Sequence, residues 1–206
     1  GRRRVPTRRL AVLKLGFNPG QLRPLGYQRE AELLVLGRHD PHKNLRRLLK
    51  AVAALRDREH RIHFVGPHDR RYTPKLQALA QELGIASRCR WTAWVSNDER
   101  LELLNRARAL VMPSLWEGFG LPALEAMACG TPVLASTAGA LPEVVGEVAV
   151  PLDPMSSAQM AAAIDDFLQS SALQQQLAQQ GPLRAAGFSW AQTGADLKQR
   201  LQALCP

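Results

Sequence analysis

The stretch ALVMPSLWEGFGLPALEAMACGTPVLA, from Ala109 to Ala135, decides the fold. It begins with an apolar run at Ala109–Met112, passes through a glycine-containing loop, and ends in a second apolar run at Val133–Ala135. Between the two runs, Pro122–Cys129 is typical of a short helix, with a proline near its first turn and a glycine just after its end. This order predicts a βαβ unit, in which the two strands are parallel.

The same alternation extends in both directions along the chain. Further apolar runs predict strands at Glu32–Leu36, Arg61–Val65, Arg88–Thr92 and Val148–Val150. Helical spacing of apolar residues separates them at 44–55, 74–83, 98–107, 141–145 and 160–168. Alternating strands and helices with short connections predict an α/β fold, a doubly wound parallel sheet of the Rossmann-like type. In such sheets, ligand-binding loops lie beyond the carboxyl ends of the strands.

We expect residues 31–186 to form this Rossmann-like domain. Residues 1–30 fit the alternation poorly, so we interpret them as a linker or a remnant of a preceding domain. Within residues 187–206, Ser189 and Gln192 predict a capping box at the start of a last helix. Apolar residues on one face of that helix require a partner, and we expect it to pack toward a preceding domain.

Composition restricts the class of protein. Of the 206 residues, 46% are hydrophobic, which is sufficient for a packed core. The three cysteines, Cys89, Cys129 and Cys205, are far apart, so they favour neither a disulfide framework nor a zinc site. This usage is typical of a reducing compartment, and we therefore predict a cytoplasmic protein. No apolar run approaches the roughly 18 residues that a membrane span requires.

The net charge of +9 is unevenly distributed. Residues 111–206 carry 3 basic and 8 acidic side chains, so the excess of positive charge lies in the first half. A nucleic-acid-binding protein would show a broader cationic surface and more than 5% aromatic residues, so we predict no nucleic-acid partner. The basic run Arg2–Arg9 is compatible with peripheral contact to an anionic inner membrane.

Two loops carry residues suited to a phosphate ligand. Arg38 and Lys43 lie in the loop between the first strand and the first helix, and both can reach one diphosphate. In the loop after Met112, Gly118 and Gly120 allow an exposed backbone, and the following helix directs its positive end to the same place.

Carboxylates and further strand-end residues complete this constellation. Glu117 and Glu125 flank the start of that helix, and carboxylates accept hydrogen bonds from paired sugar hydroxyls. A solvated acid that offsets the helix dipole is the alternative for Glu125. Ser136 and Gly66 follow other strands, so all these loops are expected to meet at one edge of the sheet. The sequence contains no cluster of carboxylates or thiols that could complete a metal site, and no Asp-x-Asp motif follows a strand. We therefore predict no metal ion.

The motif EGFGLPALE at Glu117–Glu125 resembles the signature of retaining "group 1" glycosyltransferases, which have the two-domain GT-B fold. The continuations AMACGTPVLAS and LPEVVG, the upstream VLGRHDPHKNL and the FSW at Phe188–Trp190 are similar to the same family. The resemblance covers about residues 33–200, and it identifies the chain as the nucleotide-sugar-binding half of such an enzyme.

The resemblance implies a role for each matching residue. Arg38 and Lys43 neutralise the diphosphate, Glu117 lies near the donor sugar, and Glu125 binds the ribose hydroxyls. The remaining substrate contacts it implies come from Gly118, Phe119, Gly120, Leu121, Gly66 and Val95. No cofactor is implied, because protein cations take the place of a metal ion.

The implied reaction is transfer of a hexose, with mannose among the candidates, from a UDP- or GDP-linked donor to a glycan or lipid-linked acceptor with retention of configuration. We expect acceptor-binding residues on a missing N-terminal domain, so the chain alone should bind donor but turn over little. Two alternatives stay open: a nucleotide-sugar epimerase of the same fold and a non-catalytic nucleotide-sugar-binding module.

Overall fold

The computed structural model describes residues 12–17 and 21–204. Within this part of the chain, six parallel strands form one sheet in the order β3-β2-β1-β4-β5-β6. The strands are β1 Glu32–Leu36, β2 Arg61–Val65, β3 Cys89–Thr92, β4 Ala109–Met112, β5 Val133–Ser136 and β6 Val150–Leu152. The helices are α1 Leu45–Ala54, α2 Thr73–Glu82, α3 Asn97–Arg106, α4 Leu121–Ala128, α5 Leu141–Val145, α6 Ser157–Gln169, α7 Ser171–Ala186 and α8 Trp190–Leu204. The predicted doubly wound, Rossmann-like α/β fold is confirmed.

Successive side chains of each strand point to opposite faces of the sheet, so they pack into two separate hydrophobic cores. In β1, Leu33 and Val35 join the core beneath α1, α2 and α6, whereas Leu34 and Leu36 join the core beneath α3, α4 and α5. Because successive strand residues point to opposite faces, a strand covered by helices on both sides is apolar at every position.

The strand order reverses between β1 and β4. β1 pairs with β2 on one side and with β4 on the other, with Leu33 opposite Ala109. The chain therefore winds outward in two directions from this point, and the loops after β1 and β4 face each other at the carboxyl edge. Doubly wound sheets bind ligands in the crevice at such a switch point.

Several sequence predictions for individual elements are wrong. The last strand begins at Val150 rather than Val148, because the Val148 amide closes the turn after α5 by donating to the Val145 carbonyl. Helix α7 was not predicted, and its apolar residues do not follow one stripe. In α6, Asp165 is 4% exposed, and it accepts hydrogen bonds from the amide and guanidinium of Arg56.

Residues 21–30 contact the sheet domain closely. The Arg29 guanidinium donates to the Ala107 carbonyl at the end of α3, at 2.9 Å, and to the Gly130 carbonyl at the end of α4, at 2.6 Å. Burial lowers the pKa of Arg29 to about 10, with the neighbouring Arg108 charge adding a smaller decrease. This side chain satisfies helix-end carbonyls that have no partner within their own helices.

The start of α8 lies beside the segment 12–17. Phe17 forms a parallel bridge with Ser189. Ser189 Oγ accepts from the Gln192 amide at 3.1 Å, but Gln192 Nε2 donates to Asp196, so the reciprocal half of the predicted capping box is absent. Along the helix, Trp190, Leu197 and Leu201 are 53%, 44% and 55% exposed. Across the described ranges, we find no helix with the length and apolarity needed to cross a membrane.

Candidate functional site

The loops after β1 and β4 meet in a charged cluster. Lys43 Nζ donates to Glu117 Oε1 at 2.6 Å, and Ser114 Oγ donates to the same oxygen at 2.7 Å. The Lys43 and Glu117 side chains are 18% and 11% exposed. Two residues predicted from separate motifs therefore form one partly buried ion pair at the switch point of the sheet.

Asn44 fixes the position of this cluster, a role that was not predicted from the sequence. It adopts a left-handed backbone conformation with φ of 59°, and its Nδ2 donates to the carbonyls of Pro113 at 2.9 Å and Pro154 at 2.7 Å. The Leu115 amide also donates to the His42 carbonyl at 2.8 Å. The available signal was an asparagine directly before a helix, a residue that tolerates this conformation.

Glycines allow the strand-end loops to approach each other closely. A Cβ atom on Gly66 would lie 2.1 Å from the Gly37 carbonyl oxygen, so the two loops touch through their backbones. A Cβ atom on Gly139 would lie 2.7 Å from the Glu117 amide nitrogen, and the Ala140 amide donates to the Glu117 carbonyl. The expected convergence of the loops at one edge is confirmed, while a nucleotide contact of Gly66 stays a prediction.

Gly120 begins α4 beside the charged cluster. Its φ is 102°, and a Cβ atom there would lie 2.5 Å from Leu141 Cδ2. Gly118 is exposed, whereas Phe119 and Leu121 are half-buried. The first turn of α4 has no acidic residue and no side-chain cap. The positive end of this helix is therefore not capped by a side chain, and such an end favours a negatively charged ligand.

Arg38 lies on the same loop as Lys43 but in a different environment. Its side chain is 63% exposed, and its nearest acidic partner is Asp40, at 3.6 Å. The guanidinium is thus weakly held, so it is available to a ligand arriving at the edge. Ser136, by contrast, is used locally, because its Oγ accepts from the Ala138 amide at 3.1 Å.

Glu125 lies in a second, adjoining part of the site. It forms an ion pair with Arg100 of α3, for which the sequence predicted no role, and is 13% exposed. Both side chains line a cleft of about 640 Å³ together with Leu101 and Leu121. Val95 is half-buried and packs against the core on this side of the sheet. The pairing contradicts the alternative of a freely solvated Glu125.

A full capping box orients the helix that carries Arg100. Ser96 Oγ accepts from the Glu99 amide, and Glu99 Oε2 accepts from the Ser96 amide at 2.7 Å. Burial lowers the pKa of Arg100. Ser96 and Glu99 form an S-x-x-E sequence before an apolar stretch, so this start could have been read directly from the residues.

Among residues 12–17 and 21–204, no group of three or more histidine, cysteine, aspartate or glutamate side chains is arranged to hold a metal ion. His39 is buried, and its Nδ1 lies 2.8 Å from Thr73 Oγ1. Burial, with a further contribution from nearby His68, lowers the pKa of His39 to about 4. This histidine is neutral at pH 7 and packs as part of the loop.

Comparisons with known proteins agree with the resemblance described above. Residues 24–184 match the family model described as "Glycosyl transferases group 1". The chain is 37% identical to "MMP alpha-(1->4)-mannosyltransferase" of Mycolicibacterium hassiacum over 93% of this chain and 47% of that protein. It is 34% identical to "O-antigen chain mannosyltransferase B" of Escherichia coli over 76% of this chain and 42% of that protein.

A solved structure has the same fold. Sucrose-phosphate synthase from Thermosynechococcus elongatus superposes with a TM-score of 0.82 and 27% identity, over 92% of this chain and 51% of that one. The chain thus spans about half the length of the curated relatives it matches. Because the family model covers most of the chain, including both loops of the charged cluster, the chain belongs to the group 1 glycosyltransferases.

Proposed function

We propose that this chain binds the nucleoside diphosphate sugar in a retaining glycosyltransferase that transfers a hexose to a glycan or lipid-linked acceptor. One observation carries the proposal: the Lys43–Glu117 pair precedes the uncapped start of α4 at the switch point of the sheet. A cation, a carboxylate and a helix N-terminus at one place suit a ligand that joins a diphosphate to a sugar.

The diphosphate is placed against the positive groups. The amides of the first turn of α4 and the Lys43 ammonium face it, and the exposed Arg38 closes over it from the loop after β1. These groups provide the positive charge that a metal ion would otherwise supply, so metal-independent transfer is part of the proposal.

The two carboxylates hold the sugar parts of the donor. Glu117 is placed at the transferred hexose, where its second oxygen accepts from hydroxyl groups while Lys43 and Ser114 hold the first. Glu125 is placed at the ribose, in the cleft that it shares with Leu101 and Leu121. Mannose is the proposed hexose, since two of the similar proteins are named mannosyltransferases.

Transfer then follows from charge. The bond between the sugar C1 and the β-phosphate oxygen breaks, and the acceptor hydroxyl oxygen forms a new bond to C1 on the same face through an oxocarbenium-like state. The hydroxyl proton passes to the departing phosphate oxygen. Negative charge grows on the departing diphosphate, where Lys43, Arg38 and the α4 dipole stabilise it. Groups fixed before the reaction stabilise this charge without reorganisation.

The acceptor is proposed to bind to a further domain of the whole protein. The exposed apolar residues of α8, which begins next to the segment 12–17, form the proposed contact surface for that domain. The chain alone should therefore bind donor and turn over little. A cytoplasmic location with peripheral contact to the inner membrane belongs to the same proposal.

Titration calorimetry of the 206-residue chain with UDP, GDP and ADP, in the presence of EDTA, tests this function. We expect saturable binding of at least one nucleoside diphosphate, and weaker binding of the matching nucleoside because it lacks the phosphates. Folded protein that binds none of the three, or that binds only after a divalent cation is added, would reject the proposed site.

A further inference from the structure

A second groove lies on the other side of the β1–α1 loop, between the first turns of α1 and α2. Its volume is about 500 Å³, within the range of small-ligand sites. Four cationic side chains line it: Arg46, Arg47, Lys50 and Lys75. Asp40 is the acidic residue in its lining, and that carboxylate lies 3.6 Å from the Arg38 guanidinium. The groove thus carries an excess of positive charge.

These cations are not neutralised by the described parts of the chain. Arg47 Nη1 donates to the neutral Asn44 side chain at 3.0 Å, and Arg46, Lys50 and Lys75 form no ion pair with residues 12–17 or 21–204. Lys43, which lies in the loop just before α1, is by contrast paired with Glu117, with its Nζ 2.6 Å from Glu117 Oε1. Four like charges around one groove repel one another, and a multivalent anion removes that repulsion.

The backbone and a buried side chain add to the cationic lining. Helix α1 starts at the groove with no acidic residue in its first turn, and the side chain of Asn44 at its cap accepts no hydrogen bond from a backbone amide of that turn. His39, 2% exposed, also lines the groove, and its Nε2 has no hydrogen-bond partner among the residues that the structure describes. A buried polar atom without a partner is unusual unless a ligand or water completes it.

Apolar surface lies next to the charges. Tyr72, Leu76 and Leu115 line the same groove, and Leu115 is 37% exposed. Aromatic and aliphatic faces of this kind pack against the C–H face of a sugar ring, while the cations and the helix start bind phosphate. We infer that the groove is a second site, distinct from the proposed donor site, that binds a phosphorylated sugar.

The position of the groove links it to the loop of the charged cluster. Leu115, which lines the groove, lies two residues before Glu117, and its amide donates to the His42 carbonyl. Asn44 lines the groove as well and holds the Pro113 carbonyl. A ligand seated there contacts the segment that positions Glu117, so its occupancy should alter the affinity of the donor site.

Titration of the 206-residue chain with glucose 6-phosphate, inorganic phosphate and glucose tests the inference. We expect saturable binding of glucose 6-phosphate, weaker binding of phosphate and no binding of glucose. In Lys50→Gln/Lys75→Gln, affinity for glucose 6-phosphate should fall at least about tenfold, since charge-assisted contacts are lost. A parallel titration with a phosphate-bearing trisaccharide distinguishes the source: tighter binding indicates the end of a glycan, and equal binding indicates a free sugar phosphate.

Arg61→Gln/Arg90→Gln is the matched control, because it removes two exposed cations of the same sheet domain outside the groove. Its affinity for glucose 6-phosphate should equal that of the unmodified chain. Equal losses in both double variants, or equal affinities for phosphate and glucose 6-phosphate, would show a general counterion effect and overturn the inference.

The two sites are tested independently. Lys43→Gln should lose nucleoside diphosphate binding and keep glucose 6-phosphate binding, whereas Lys50→Gln/Lys75→Gln should do the reverse. If nucleoside diphosphates fail to bind while glucose 6-phosphate binds at the groove, the proposed function fails and the second site stands. Glucose 6-phosphate binding that disappears in Lys43→Gln alone would place the ligand in the charged cluster and overturn the inference.

Discussion

Two cationic regions lie on opposite sides of the β1–α1 loop, and they differ in how their charges are compensated. In the charged cluster, Lys43 is already paired with Glu117 and largely buried. In the groove, Lys50 and Lys75 are exposed and have no acidic partner among the described residues. In the charged cluster the two charges compensate each other within the chain, whereas in the groove the compensating charge would have to come from a bound anion.

The two regions differ in how their cations can bind an anion: those of the cluster are held in place by an ion pair, whereas those of the groove only attract the ligand by their charge. A buried pair holds both charged groups in a fixed geometry, and loss of one partner leaves an uncompensated charge. An exposed cation is solvated, so its removal costs little stability and affects mainly the binding of anions. The same type of substitution should therefore have different consequences in the two regions.

The largest effect is expected for Lys43→Ala. Removal of the ammonium leaves Glu117 with Ser114 alone, so the free energy of unfolding should fall by about 3 kcal/mol, the lower part of the range for broken buried pairs. Nucleoside diphosphate binding should be lost as well. Urea denaturation checks the stability, and Lys50→Ala is the control, with a change within about 0.5 kcal/mol. Equal stability losses for the two variants would contradict the claim that only the Lys43–Glu117 pair contributes to stability.

The next effect concerns pH and lies at the groove. Burial lowers the pKa of His39 from 6.5 to about 4, so the folded chain resists a proton that the unfolded chain accepts. Stability from this residue is present above pH 6.5 and is lost as the pH falls toward 4, by up to about 3 kcal/mol. The free energy of unfolding of the unmodified chain, minus that of His39→Phe, should decrease over this range. A difference that is constant with pH would show that His39 titrates normally.

Arg38→Ala should give a smaller change that is confined to binding. The loss of its charge-assisted contacts should weaken nucleoside diphosphate binding by about 1.5 kcal/mol, or roughly tenfold, because the side chain is exposed and partly screened. Nucleoside binding should not change. Calorimetry with UDP or GDP and the matching nucleoside provides the comparison, and equal losses for both ligands would refute the phosphate role.

The smallest effect is expected for Ser114→Ala. This variant removes one hydrogen bond to Glu117 but keeps the ion pair with Lys43, so the free energy of unfolding should fall by about 1 kcal/mol. Ser87→Ala, at an exposed position, should be neutral in the same denaturation experiment. A loss as large as that of Lys43→Ala would mean that the hydroxyl, rather than the ammonium, holds the carboxylate.

The sequence predicted the sheet and the meeting of its loops because both follow from local patterns. Apolar runs such as Glu32–Leu36 are complete strands, and the carboxyl ends of parallel strands lie at one edge. Helix α7 escaped prediction because packing by α4 stabilises it, with Gly181 close to the Met127 carbonyl. Tertiary contacts of this kind leave no periodic signal in the residues.

Side-chain partners were harder to foresee than loop positions. Lys43 and Glu117 were both expected at the edge, but their direct pairing depends on Asn44, whose amide bonds two distant carbonyls. The Arg100–Glu125 pair likewise joins α3 to α4, and nothing in the spacing of the two residues indicates it. Contacts between elements are set by packing angles and rotamers, which the sequence pattern does not contain.

The most direct test of the charged cluster as the diphosphate site is a map of backbone amide shifts by NMR during nucleotide titration. Addition of GDP or UDP should move the amides of Gly118, Phe119, Gly120 and Leu121, together with that of Lys43, while the matching nucleoside should leave them in place. Shifts confined to the first turns of α1 and α2, at the groove, would contradict the assignment of the diphosphate to the start of α4.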